Sequence, residues 1–151
     1  MIQIILLSHV FFGVACLLAA TGIFVEVLNA STFNHSRIKN LSRLAAAAMW
    51  LSFLAGGYWY VVYYPGDKQL ILHGPWPFAH RLIMETKEHL VILLLMLATY
   101  LPIAAAGNLV ASRDARRVVL WVAGLMVLLA LTMEGEGATI ALGVKMGLLA
   151  R

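Results

Sequence analysis

Apolar side chains run almost without interruption through four stretches of this 151-residue chain, near 2–28, 43–64, 80–107 and 117–148. Each reaches the roughly 20 residues that a helix, rising about 1.5 Å per residue, needs to cross the hydrocarbon of a bilayer. Polar residues, glycines and prolines gather between the stretches. The pattern predicts an all-α integral membrane four-helix bundle, a single domain over residues 1–151 with no second core.

The interruptions refine that expectation. The first stretch has no basic residue ahead of its apolar run, which continues to about residue 28, so it reads as a retained helix and not a signal peptide. The second ends in the aromatic band 58-YWYVVYY-64 before Pro65 and Gly66; such bands sit at a membrane–water interface. The connection 65–80 carries Pro65, Pro75 and Pro77 with Trp76 and Phe78, and is expected to lie against the bundle mouth as a lid. Pro102 falls near the far end of the third stretch, where a kink is tolerable in a membrane bundle.

Charge sets the expected topology. Arg37, Lys39 and Arg43 lie in the first connection and Arg113, Arg116 and Arg117 in the third, whereas the middle one has Lys68 beside Asp67. The positive-inside rule then places the N-terminus and the C-terminus both outside, in a multi-pass protein of a bacterial-type inner (plasma) membrane.

Composition agrees: 62% of residues are hydrophobic and 12% charged, against about half and a quarter in soluble domains. The net charge of +4 is accounted for by those basic loops, so no nucleic-acid partner is called for. The lone Cys16 excludes an internal disulfide.

The ionisable residues within the apolar stretches mark the candidate site, because charge inside a bilayer is costly unless it pairs, binds something or faces the bundle interior. They are His9 in the first stretch, 84-METKEHL-90 at the start of the third, and Glu134 and Glu136 in the fourth. All fall toward the outer leaflet. His9 and His89 share a depth, about 10 and 13 Å along their helices. At about 100° per residue, Arg81, Glu85, Glu88, His89, Ile92 and Met96 occupy one sector, taken as the inward one, with Lys87 pointing nearly the other way. His80, nine residues from His89, is expected on the opposite face near the interface, and His35 and His73 in solvated loops. Gly13, Cys16 and Ala20 flank His9, and Ser52, Gly56 and Tyr60 line a comparable face of the second helix. Such small residues favour close helix packing, and they also leave a slot beside an imidazole for a flat macrocycle.

Three function classes follow. In the first, His9 and His89 ligate a haem b axially between the first and third spans, with Gly13, Gly56 and Tyr60 around the ring and Arg81 or Lys87 on the propionates. In the second, Glu85, Glu88, His89, Glu134 and His9 form a carboxylate–imidazole shell for iron, manganese or zinc. In the third there is no cofactor, and the cluster is a proton or ion path, or joins the chain to membrane neighbours as a homodimer or an accessory subunit of a larger complex.

The layout of four spans in a short chain, together with a histidine early in the first span, 6-LLSHVFFG-13, resembles the small membrane haem proteins of the HemJ-type protoporphyrinogen oxidase and CopD-like families. The resemblance implies haem binding and electron transport or oxidoreductase chemistry near the outer face, with a quinone, porphyrin-like or other redox partner alongside membrane lipid.

Overall fold

The computed structural model describes residues 2–150, with side chains from residue 3 onward. It is all-helical among those residues: α1 (Ile2–Leu28), α2 (His35–Val62), α3 (Tyr64–His73), a π-helical turn (Ala79–Met84) leading into α4 (Glu85–Ala105), and α5 (Arg113–Leu149). Four segments are long and apolar enough to cross a membrane, namely α1, α2, the π turn with α4, and α5.

These four close into a ring in which α1 touches α2 and α5, and α4 touches the same two helices. The helices α1 and α4 therefore stand diagonally across the bundle. Residues at small-residue spacing allow the approach: Ala19, Ala20, Ala45, Ala48, Ala98, Ala105 and Ala123 are buried together with Ile23, Leu101, Val119 and Met126. Between helices in lipid it is such close backbone packing, not removal of apolar surface from water, that supplies the attraction. The lower half of the bundle is this apolar core.

Hydropathy places the start of the second span at 43, whereas α2 begins at His35. The added turns are polar and make a tight connection between α1 and α2. Asn34 accepts from the Ser31 N–H at 2.8 Å and donates to the Glu26 carboxylate at 2.9 Å, and Arg37 pairs with Glu26 at 2.7 Å.

The segment expected to form a lid is instead mostly helix. Pro65 sits in the first turn of α3, where its missing N–H is no loss. Helix α5, 37 residues long, measures about 55 Å, well beyond the roughly 30 Å of hydrocarbon. Its last third forms, with α3 and the π turn, a second small core of Tyr64, Ile71, Ala79, Met84 and Ile140. Glycine makes that docking possible. A Cβ on Gly147 would run into the Leu70 carbonyl, and one on Gly143 would lie 2.8 Å from the Ala79 Cβ.

Candidate functional site at the bundle centre

All four long helices contribute to one polar cluster where the apolar core ends. It surrounds a cavity of about 30 Å³ lined by His9, Ser52, Lys87 and Glu134, with Gly13, Cys16, Val91, Leu94 and Met133 among its walls.

His9 enters from α1. Its Nδ1 lies 2.9 Å from the Ser52 carbonyl oxygen; a carbonyl only accepts, so Nδ1 carries a proton, and in the neutral ring Nε2 keeps the lone pair. The Ser52 hydroxyl lies 3.0 Å from the same nitrogen and donates to the His9 carbonyl at 2.9 Å, locking the two helices together. The ring fills the notch left by Gly56, where an added Cβ would come within 2.6 Å of Nδ1.

Glu134 enters from α5 and fills the corresponding notch on α1: a Cβ at Gly13 would lie 2.7 Å from its Oε1. Lys87 reaches inward from α4 and donates to the Met133 carbonyl at 3.0 Å. That is the one acceptor for its three donors among the described residues. Gly137 gives the ammonium room, since a Cβ there would sit 3.1 Å from Nζ. Glu136 lies on the buried side of α5, 8% exposed, and its Oε2 has no hydrogen-bond partner among the described residues. Both glutamates are close enough to Lys87 to act on its charge.

The inward sector of α4 is thus the reverse of the expected one. Lys87, Leu94, Ala98, Leu101 and Ala105 turn toward the bundle, and Arg81, Glu85, Glu88, His89, Ile92 and Met96 are exposed. The division between Lys87 and the other ionisable groups is present as expected, with inside and outside exchanged. His89 donates from Nδ1 to the Glu85 carbonyl at 2.7 Å, on the outer surface. Tyr60, expected beside His9, instead donates its hydroxyl to the Glu88 carboxylate at 2.5 Å and stacks on Tyr64.

His80 is on the face opposite His89, as its spacing requires, and that face is interior. It is 5% exposed, 3.0 Å from the Tyr64 hydroxyl through Nδ1. A π turn packs an extra residue into the helix, which is the local device that seats this pair; such turns recur at functional positions. His35 opens α2 and has a buried Nδ1, not a solvated one, while His73 closes α3 and donates to the Gln69 carbonyl.

The two residues expected to hold a haem between α1 and α4 are not brought together in this arrangement. His9 and His89 face different ways, Gly56 and Gly13 are occupied by His9 and Glu134, and the remaining space suits a guest the size of water, which needs about 10–15 Å³. Nor do Glu85, Glu88 and His89 join His9 and Glu134 in one metal shell. Among the described residues no three His, Cys, Asp or Glu side chains converge as metal ligands. No family model, characterised protein or solved structure matches the chain.

Proposed function

We propose that this chain is a multi-pass membrane protein, both termini outside, whose central cluster binds one proton and exchanges it with the outer side of the membrane. The observation that carries this reading is a charge imbalance in an apolar place. With His9 counted as a neutral imidazole, Lys87 contributes one positive charge, and Glu134 and Glu136 two negative ones. One negative charge is left over.

Low-dielectric surroundings do not tolerate an uncompensated carboxylate. A proton is the smallest cation that cancels it, and the cavity beside Lys87 has room for the water that would deliver it. The proton is assigned to the cluster of Lys87, Glu134 and Glu136 and not to one residue. His9, with a free Nε2 lone pair, is the group placed to relay it.

Exchange toward the inner side lacks the necessary groups. Below the cluster the bundle is filled by Cys16, Ala20, Ile23, Ala98, Leu101, Met126 and Val119, and the next ionisable residue, Glu26, is engaged by Arg37 and Asn34 at the inner rim. A site that opens to one side stores or hands over a proton and does not conduct it across. Such a role suits an accessory subunit in a redox or transport assembly of the inner membrane.

The test is the number of protonated carboxyl groups. In lipid nanodiscs at neutral pH the wild type should show one protonated-carboxyl stretching band in the infrared, absent in Glu136→Gln. Retention of the full band in that variant would remove the reading. The alternative, a b-type haem protein with haem held by a different pairing of chains or a larger complex, would show itself as a reduced α band in the visible spectrum of the membrane-extracted protein.

A further inference from the structure

At the end of the bundle away from the termini, the connection from α1 to α2 and the connection from α4 to α5 face each other across a groove of about 560 Å³, an ordinary size for a small-molecule site. Thr32, His35 and Lys39 form one wall, and Gly107, Asn108 and Val110 lie in the other. Among the described residues no acidic side chain lines it. The acids at this end are engaged elsewhere, Glu26 by Arg37 and Asp114 by Arg117, and Lys39 has no ion-pair partner among the described residues.

The groove is rich in uncommitted donors. His35 and Lys39, four residues apart, share a face of α2. The Nδ1 of His35 is buried without a partner, which leaves Nε2 as the nitrogen that a ligand can reach. Asn108 uses Oδ1 to accept from the Ala111 N–H at 3.1 Å, so its side-chain NH2 is left to donate. The backbone N–H groups of Asn108 and Val110 have no acceptor among the described residues. Several donors around one ammonium, with no carboxylate, suit an oxyanion that offers several acceptor oxygens.

We infer that this groove holds the phosphate of an acidic phospholipid headgroup. Its level in the bundle selects a lipid. The apolar run of α2 begins near residue 43 and α4 ends at Ala105, so Lys39 stands about 6 Å and His35 about 12 Å beyond that boundary, where headgroups lie. Val110, in the wall, and Phe33, next to Thr32, are exposed apolar side chains at the same level, suited to the glycerol and the upper acyl chain. With no carboxylate in the lining to receive a choline or an ethanolamine, the groove favours a headgroup of net negative charge. Basic pockets between membrane helices take lipids of this kind.

Native mass spectrometry of the full chain in a non-ionic detergent, titrated with phosphatidylglycerol, phosphatidylcholine or inorganic phosphate, tests this inference. Phosphatidylglycerol should be retained in preference to phosphatidylcholine, and inorganic phosphate should not displace it. Lys39→Glu should weaken phosphatidylglycerol binding about tenfold or more, Lys39→Gln by a smaller factor, and Lys39→Arg hardly at all. Arg43→Glu is the charge-matched control, because Arg43 is exposed on α2 outside the groove; it should weaken binding about twofold or less. Equal retention of the two lipids, equal losses from Lys39→Glu and Arg43→Glu, or displacement by inorganic phosphate would overturn the proposal. None of these outcomes bears on the central cluster, whose residues lie outside the groove.

Discussion

Two neighbouring turns of α4 carry ionisable groups to opposite fates. Lys87 enters the bundle and meets a carbonyl, two glutamates and a small cavity, while Glu85 and His89, two residues to either side, stay on the surface. The inner set is bound up with packing, because glycines on α1, α2 and α5 are shaped to it. The outer set makes local contacts and a charge pattern, and the fold of the single chain does not depend on it. Substitutions should therefore separate the two faces by magnitude.

The largest effect should come from Lys87→Met, which leaves Glu134 at the cavity and Glu136 beside it without the one ammonium of the cluster. Leaving a buried charge without its counter-charge costs up to about 3–5 kcal/mol; denaturation in detergent should show a loss approaching that range, and Lys87→Met with Glu134→Gln should recover a large part of it. If the single variant were as stable as wild type, Lys87 would not be holding the cluster.

Next come the notches. Gly56→Ala places a methyl 2.6 Å from His9 Nδ1, and Gly13→Ala places one 2.7 Å from Glu134 Oε1. Each should cost about 1–3 kcal/mol, the usual price of overpacking. Gly57→Ala, with nothing within 4 Å, serves as the neighbouring control and should be close to neutral, read by the same melts.

On the outer face, His89→Ala measured on the monomer should stay within about 0.5 kcal/mol. A loss as large as that of Lys87→Met would mean that the surface histidine supports the fold and would erase the contrast between the two faces.

The smallest effect is expected in α3, which packs on the end of α5. Burial holds the Asp67 carboxyl above the ordinary aspartate range, so its charged form works against folding at neutral pH and its neutral form does not at acid pH. Asp67→Asn should therefore be slightly more stable than wild type at neutral pH, with the difference vanishing as pH falls below about 4. A gain that grows toward acid pH would have the opposite sign and refute the assignment.

The four long apolar segments were legible because length and hydropathy suffice to find them, and α1 falls where the sequence places it. The polar first turns of α2 and the helix α3 escaped that reading, since neither is apolar enough for hydropathy to register. The site was half legible. Helical spacing correctly parted Lys87 from Glu85, Glu88 and His89, but spacing gives relative angle and not which side faces in. A soluble helix settles that by its apolar face; here lipid and core are equally apolar, and Ile92 and Met96 look as internal as Leu94. The discriminating signal was the small residues Ala98 and Ala105, four and eleven residues beyond Leu94, which mark the packed seam. Charge density pointed the other way. The slot expected beside His9 existed too, but small residues do not say what fills them, and here the fillers are His9 and Glu134 themselves.

The claim that the cluster holds one proton is tested most directly by counting protonated carboxyls by infrared difference spectroscopy across its charge variants. One band is predicted for the wild type at neutral pH, none for Glu134→Gln or Glu136→Gln, where the remaining carboxylate balances Lys87, and two for Lys87→Met. A wild-type spectrum with no such band, or a band indifferent to all three substitutions, would contradict the account.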